Sequence, residues 1–356
     1  MRFLVLGLCL VSGACAEPLP TAPADPLETS DTTANSADLV FKAIGAGLQG
    51  DARYAIELLK SAEPASLNQR DRRYRSCMLK RFGDSVPPKL APATDSPVAD
   101  QIVAAYVSYW REALRAPELR QEYTRALEGD LRDRLDLTED ADNIQIENEV
   151  RARLNAEGLG VLLGQTGVLR ELMIWRQEDR QSMTVELPHG AYKTEVALLD
   201  DFVISGWGQF ATCETRGAGG WVADRTLFAV VPVYDDLEGE EFRVTFLGHE
   251  TQHFLDLDVY PNMASWELEY RAKLMELAMA DRTRLKVLQK FIEDQGDDPL
   301  SPHSFANRKI LTALLSELSL SDSDALRSVE GQAIRDAASR LFEADTAMRD
   351  RQRRVQ

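Results

Sequence analysis

Two of the chain's four histidines stand four residues apart, in Phe246-Leu247-Gly248-His249-Glu250-Thr251-Gln252-His253-Phe254-Leu255. On a helix, side chains at that spacing face the same way, one turn apart, so two imidazoles can hold one metal ion. Glu250 follows the first histidine, where its carboxylate can reach a water on that ion. Zinc lowers the pKa of such a water, and Glu250 can take the proton. No proline interrupts the segment, and Phe246, Leu247, Phe254 and Leu257 give the helix a side to bury. The bland alternative is a solvated His-Glu pair on an ordinary helix.

The elements that would position this pair differ along the chain. From Ala37 the apolar residues recur at helical spacing, Asn68 to Phe82 is a strongly basic helix candidate, and Asp100 to Leu135 holds two more. One of these carries Val103, Tyr106, Val107, Tyr109 and Trp110 on one face. In the centre, Ser182 to Leu187 and Lys193 to Leu199 alternate around Pro188-His189-Gly190. That predicts a hairpin, with His189 as a structural turn residue. Thr226 to Tyr234 predicts a strand, and Pro232 within it predicts an edge position, where an extended substrate could pair. Trp207 and Gly219-Gly220-Trp221 could line a cleft or fill the core. From Glu241 the chain is helical to its end. Strands in the middle flanked by helices predict an α+β fold, mostly helical with a small antiparallel or mixed sheet. The expected division is a helical region over 37–140 and a metal-binding region over 141–356.

His249-Glu250-Thr251-Gln252-His253 resembles the metal helix of the zincin metallopeptidases. Residues Leu255 to Tyr260 lack the Gly and third His of the metzincin subgroup, so that subgroup is excluded, and the segment that follows resembles the gluzincin type. In that type a glutamate from the next helix completes the ligand set. Trp266-Glu267-Leu268-Glu269-Tyr270-Arg271-Ala272-Lys273-Leu274 resembles that helix. The resemblance implies one zinc on His249, His253 and Glu269, with Glu267 and Glu276 as rivals for the third place and small Ala272 allowing close helix approach. It covers residues 226–310. An acid four residues after the third ligand commonly orients the first histidine; here Lys273 stands there, and Asp256 is a candidate to replace it. A late histidine stabilises the oxyanion in thermolysin-like members, which makes His303 a candidate catalytic residue beside Glu250, with Tyr234 and Tyr270 as other possible donors.

Fifty-eight acids against 41 bases give a net charge of −17, which excludes a nucleic-acid surface and favours cationic partners. Residues 1–16 read as an export signal: Met1-Arg2, an apolar run from Phe3 to Val11, then Ser12-Gly13-Ala14-Cys15-Ala16. Cleavage before Glu17 competes with a lipobox reading that makes Cys15 a lipid-anchored first residue; the short apolar run and the following segment favour the lipobox. Residues 17–36, rich in Pro, Ala, Thr, Ser and Asp, read as a flexible tether. Cys77 and Cys213 then remain, and in an oxidising compartment they predict one disulfide, whose loop closure would contribute ~4 kcal/mol. No segment after the leader is apolar for long enough to span a bilayer. Together these features predict a zinc-dependent hydrolase of the periplasm or cell envelope, a metallopeptidase acting on a peptide or protein. The alternative is a catalytically silent zincin-like lipoprotein that binds or scaffolds.

Overall fold

The computed structural model describes residues 9–11, 36–83 and 94–355. The lipobox-like Ser12 to Cys15 lies outside the described residues, as does the tether up to residue 35. The chain is α+β, 61% helical, with a mixed sheet of five strands, and a short strand β1 (Cys9–Val11) joins the β5 edge. Among the described residues no helix is long and apolar enough to cross a membrane. The described residues form two compact units, and the chain passes between them at 178/179, 198/199 and 218/219 rather than dividing once near residue 140.

The first unit runs to Glu178 and includes Leu199–Ala218. Its helices are α1 (Ser36–Leu48), α2 (Ala52–Ser61), α3 (Gln69–Phe82), α4 (Pro97–Arg115), α5 (Arg120–Arg134) and α6 (Asn143–Ala156). Strand β2 (Gly160–Thr166) then pairs antiparallel with the start of β3 (Leu169–Leu187); the end of β4 (Gly190–Ser205) and the short α7 (Gly206–Ala211) complete the unit. The starts of α2, α3, α4 and α6 follow from Asp51, Asn68, Ser96 and Asp142, whose side chains accept backbone N–H groups of the first turn. The expected apolar face of α4 is buried, and Trp110 donates its indole N–H to the Arg170 carbonyl at 2.8 Å. Trp207 is core rather than cleft: its ring N–H donates to Thr166, and its backbone N–H donates to the buried carboxylate of Glu171 at 3.0 Å. Gly206, at φ +92°, has no room for a Cβ against that carboxylate.

Cys77 in α3 is bonded to Cys213, 136 residues away, as the cysteine count predicted. Closing so long a loop restricts the unfolded chain. Cys213→Ser in the full chain should therefore lower unfolding free energy by about 3–5 kcal/mol, read from denaturant midpoints without reductant. Equal midpoints for parent and variant would remove the disulfide from the account of stability.

The second unit holds Asp179–Leu198 and Gly219 onward. Within it the strands run in the order β5 (Gly217–Ala223), β6 (Thr226–Val230), β4, β3. β5 and β6 pair antiparallel through a two-residue turn at Asp224 and Arg225, both at positive φ, which suits a tight hairpin. The hairpin predicted around His189 is present but longer than its alternating segments, and the His189 ring stacks on Phe342 at 4.9 Å. The edge position expected for Thr226 to Tyr234 is overturned. β6 ends at Val230 and lies between β5 and β4, and Pro232 falls in a 3-10 turn beyond the strand, where its missing N–H breaks no ladder. Gly219, Gly220 and Trp221 are buried in β5; a Cβ at Gly220 would collide with the Phe228 carbonyl and the Phe246 ring, so that glycine lets the segment around Phe246 rest on the strand.

After α8 (Glu240–Phe242) the chain takes one π turn, Arg243–Gly248, and enters α9 (His249–Val259). Then follow α10 (Ser265–Met279), α11 (Arg284–Glu293), α12 (Pro302–Glu317) and α13 (Gly331–Val355). α10 is the centre of this unit, packed by α9, α12 and α13, and it is buried nearly all round: Leu268, Ala272, Leu274, Met275 and Leu277 are almost wholly inaccessible.

Candidate metal centre

A buried helix that carries Glu269, Arg271, Lys273 and Glu276 must give each charge a partner, because an isolated ion in the interior is costly. Two of those charges, on Glu269 and Glu276, meet the histidines of α9. His249 and His253 are both buried, their rings 4.7 Å apart and nearly perpendicular. His249 Nε2 lies 3.5 Å from Glu269 Oε2, and His253 Nε2 lies 3.3 Å from Glu269 Oε1. Gly248 lets α9 lie this close: a Cβ there would press on Met275 of α10 at 3.2 Å and on the Arg243 carbonyl at 3.3 Å.

The spacing is of the order zinc needs: two ligands each about 2.1 Å from a tetrahedral ion stand about 3.4 Å apart, and each histidine Nε2 is near that distance from one of the two Glu269 oxygens. The three donor atoms lie within 4.8 Å of one another. His249 Nε2 is buried and makes no hydrogen bond, while Glu269 Oε2 has ion-pair contacts from His249, His303 and Lys273 but no hydrogen bond of good geometry. A buried ring nitrogen without a hydrogen bond calls for an explanation such as an ion.

The rivals for the third place are sorted by position. Glu267 is at the start of α10, where its carboxylate accepts the Ala264 N–H at 2.7 Å and pairs with Arg349 at 3.1 Å. Glu276 lies behind His249, its Oε2 3.7 Å from Nδ1. That is where a carboxylate fixes the tautomer of a ligating histidine and turns Nε2 toward the metal. Asp256 does not take that role, since its Oδ1 accepts Arg271 Nε at 2.8 Å. Sequence reading carried Glu276 only as a rival ligand; seven residues after Glu269, it shares a helix face two turns on, and no sequence signal says which histidine nitrogen that face meets.

Lys273 is buried, with its ammonium 3.9 Å from Glu269 Oε2 and 5.1 Å from the centre of the Phe291 ring. His303, near the start of α12, brings Nδ1 to 2.8 Å from Glu269 Oε2. Its side chain is 32% exposed, whereas those of His249, His253 and Glu269 are 5%, 10% and 9% exposed, so the centre meets solvent on the α12 side. The Tyr234 hydroxyl donates to the Gly219 carbonyl at 3.0 Å. Tyr270 lies among the charges of Asp345, Arg349 and Arg271.

Burial works against the charge on both sides of this centre and is outweighed. It would lower His249, yet Glu269, Glu276 and Glu250 push that imidazole up to about 9. It would raise Glu269, yet His303, His249 and His253 hold the carboxyl well below the usual range. Near pH 7, then, His249 of the metal-free chain carries a proton that an incoming ion must displace. Zinc affinity should rise by up to tenfold per pH unit below about 9 and level there, as isothermal titrations in two buffers of different ionisation enthalpy would show. The sign reverses for the metal-free fold. The raised pKa contributes stability that is full below the unfolded value of 6.5 and is lost as pH rises through about 9.

Comparison of the chain with protein-family models, curated proteins and solved structures returns no match. The functional reading therefore rests on this geometry.

Proposed function

We propose that this chain is an exported, zinc-dependent hydrolase of the gluzincin type, a peptidase of the cell envelope, with His249, His253 and Glu269 as ligands and Glu250 as general base. The observation that carries the reading is the pair of imidazole Nε2 atoms converging on one buried carboxylate from the next helix. Zinc held there would polarise a carbonyl and render water a stronger nucleophile. Glu250, buried beside His249, would hold the proton taken from the attacking water and pass it to the leaving amine. Glu276 would keep His249 turned so that Nδ1 faces away from the reacting groups. Substrate would enter on the α12 side, past His303, and not as a strand added to β6, which already has neighbours on both edges. The test is zinc content together with cleavage of an unfolded protein such as reduced casein; one zinc per chain without cleavage of casein or a mixed peptide library would leave the metal and remove the peptidase.

His303 supports a second reading. A fourth protein ligand would close the coordination shell and leave a binding module without catalysis, and His303 already touches Glu269. His303→Ala separates the two. The hydrolase reading expects full zinc content with activity down by about 100-fold, as for loss of one oxyanion donor. The closed-site reading expects zinc to be lost.

A further inference from the structure

The candidate ligands come from α9 and α10, yet what fixes the spacing of those two helices comes from α13. Arg271 stands two residues after Glu269 and is 3% exposed. Its Nε donates to Asp256 Oδ1 at 2.8 Å, and Asp256 is on the helical turn after His253. One terminal nitrogen donates to Asp345 Oδ2 at 2.8 Å and to Thr346 Oγ1 at 3.0 Å, and the guanidinium plane covers the Phe342 ring at 4.2 Å. Asp345 also accepts Arg349 Nε at 2.7 Å, and Arg349 reaches Glu267, two residues before Glu269, at 3.1 Å. At the end of α9, the Tyr260 hydroxyl donates to Asp350 at 2.9 Å. Thus α13 grips α10 on both sides of Glu269 and grips α9 beyond His253, and none of these contacts touches His249, His253 or Glu269.

A chain of buried ion pairs is a poor device for stability alone, because well-packed apolar residues of like volume do as well or better. It does impose geometry. A guanidinium is a rigid planar fork that can hold two carboxylates at set positions at once, which an ammonium cannot do. What this fork sets is the separation of α9 and α10, and hence the 3.3 Å between His253 Nε2 and Glu269 Oε1. Metal sites tolerate errors of only about 0.5 Å.

We infer that Arg271 and Asp345 are positioning residues of the metal centre, and that α13 is the frame that holds its ligands at coordinating distance. The inference rests on the metal-binding part of the reading above and on none of its chemistry. The test is a cobalt(II) titration of the full chain, followed by visible absorption, for the parent, Arg271→Lys, Asp345→Asn and Arg340→Gln. Arg340, on α13 like Asp345, forms an exposed pair with Glu317 at the end of α12 and serves as the control for α13. Arg271→Lys should weaken cobalt binding by about 10- to 100-fold, the range for residues that orient ligands, and should shift the d–d bands, with far-ultraviolet circular dichroism unchanged. Asp345→Asn should move both in the same direction by less, and Arg340→Gln should move neither. Parent-like affinity and spectrum in folded Arg271→Lys and Asp345→Asn would overturn the inference. If Arg271→Lys does not fold, Asp345→Asn, which keeps the size of the side chain, decides alone. A parent chain that takes up no cobalt overturns the metal reading itself, and this outcome is visible before any variant is made.

Discussion

His253→Ala should abolish zinc retention. The parent, purified without chelator and offered zinc, is expected to hold one ion per chain by mass spectrometry of the metal, and the variant none at the same concentrations. The loss in affinity should exceed about 100-fold, the upper range for residues that merely orient a ligand. Glu269→Gln should do the same, because an amide keeps the shape and loses the charge. Glu267→Gln should leave the metal in place, because that side chain caps α10 and pairs with Arg349. This three-way pattern tells a metal centre from a buried ion-pair cluster. Were the cluster only structural, His253→Ala and Glu269→Gln would lower unfolding free energy by about 3–5 kcal/mol, the cost of leaving a buried charge without its partner, and zinc would neither bind to the parent nor stabilise it. With a true centre, zinc raises the parent's melting temperature in a concentration-dependent way, and the variants do not respond.

The second large effect falls on Glu250. Glu250→Gln should keep the full zinc content and lose kcat by about 10²- to 10⁴-fold at little change in KM, as expected when proton transfer alone is removed. The amide can occupy the same buried position and still accept or donate a hydrogen bond, but it cannot take a proton. The measurement is turnover of any substrate the parent cleaves, with metal content determined on the same preparation. Undiminished turnover in a zinc-loaded variant would move the proton to another group. Joint loss of zinc and activity would make Glu250 a support of the site instead.

What the sequence made legible follows physical range. His249, Glu250 and His253 are local: their geometry is set by helical repeat, and no distant residue is needed to place them together. The α+β character and most helices were legible for the same reason, since buried faces recur at fixed spacing, as on α4. Glu269 came through resemblance to a known ligand helix, and the structure brings it to both histidines. The place of Glu276 beside His249 Nδ1 was hidden, because helical spacing names a face and not the atom that face meets. Arg271 was hidden more deeply, since its partner Asp345 is 74 residues away and Asp256 is on another helix. The edge strand failed through a small error of length: the apolar run continues past Val230, but the backbone turns there, so Pro232 was evidence about a turn. The long hairpin was cut short because Arg176 to Ser182 is polar and exposed throughout, with no alternation to follow. The division into units depends on which segments return to which core, and composition carries no record of that.

That return has a consequence for the newborn chain. The first unit lacks its last segment until Leu199–Ala218 has been made, and Cys213 lies within it. Cys77 is thus synthesised 136 residues ahead of its partner. The only other thiols in the chain are Cys9 and Cys15. A precursor that keeps both can close its four cysteines in three complete ways, whereas a chain that has shed Cys9 and has lipidated or shed Cys15 can close in one. Were residues 1–16 removed as the proposed export signal, and before oxidation, the wrong partners would be gone before the right one arrives.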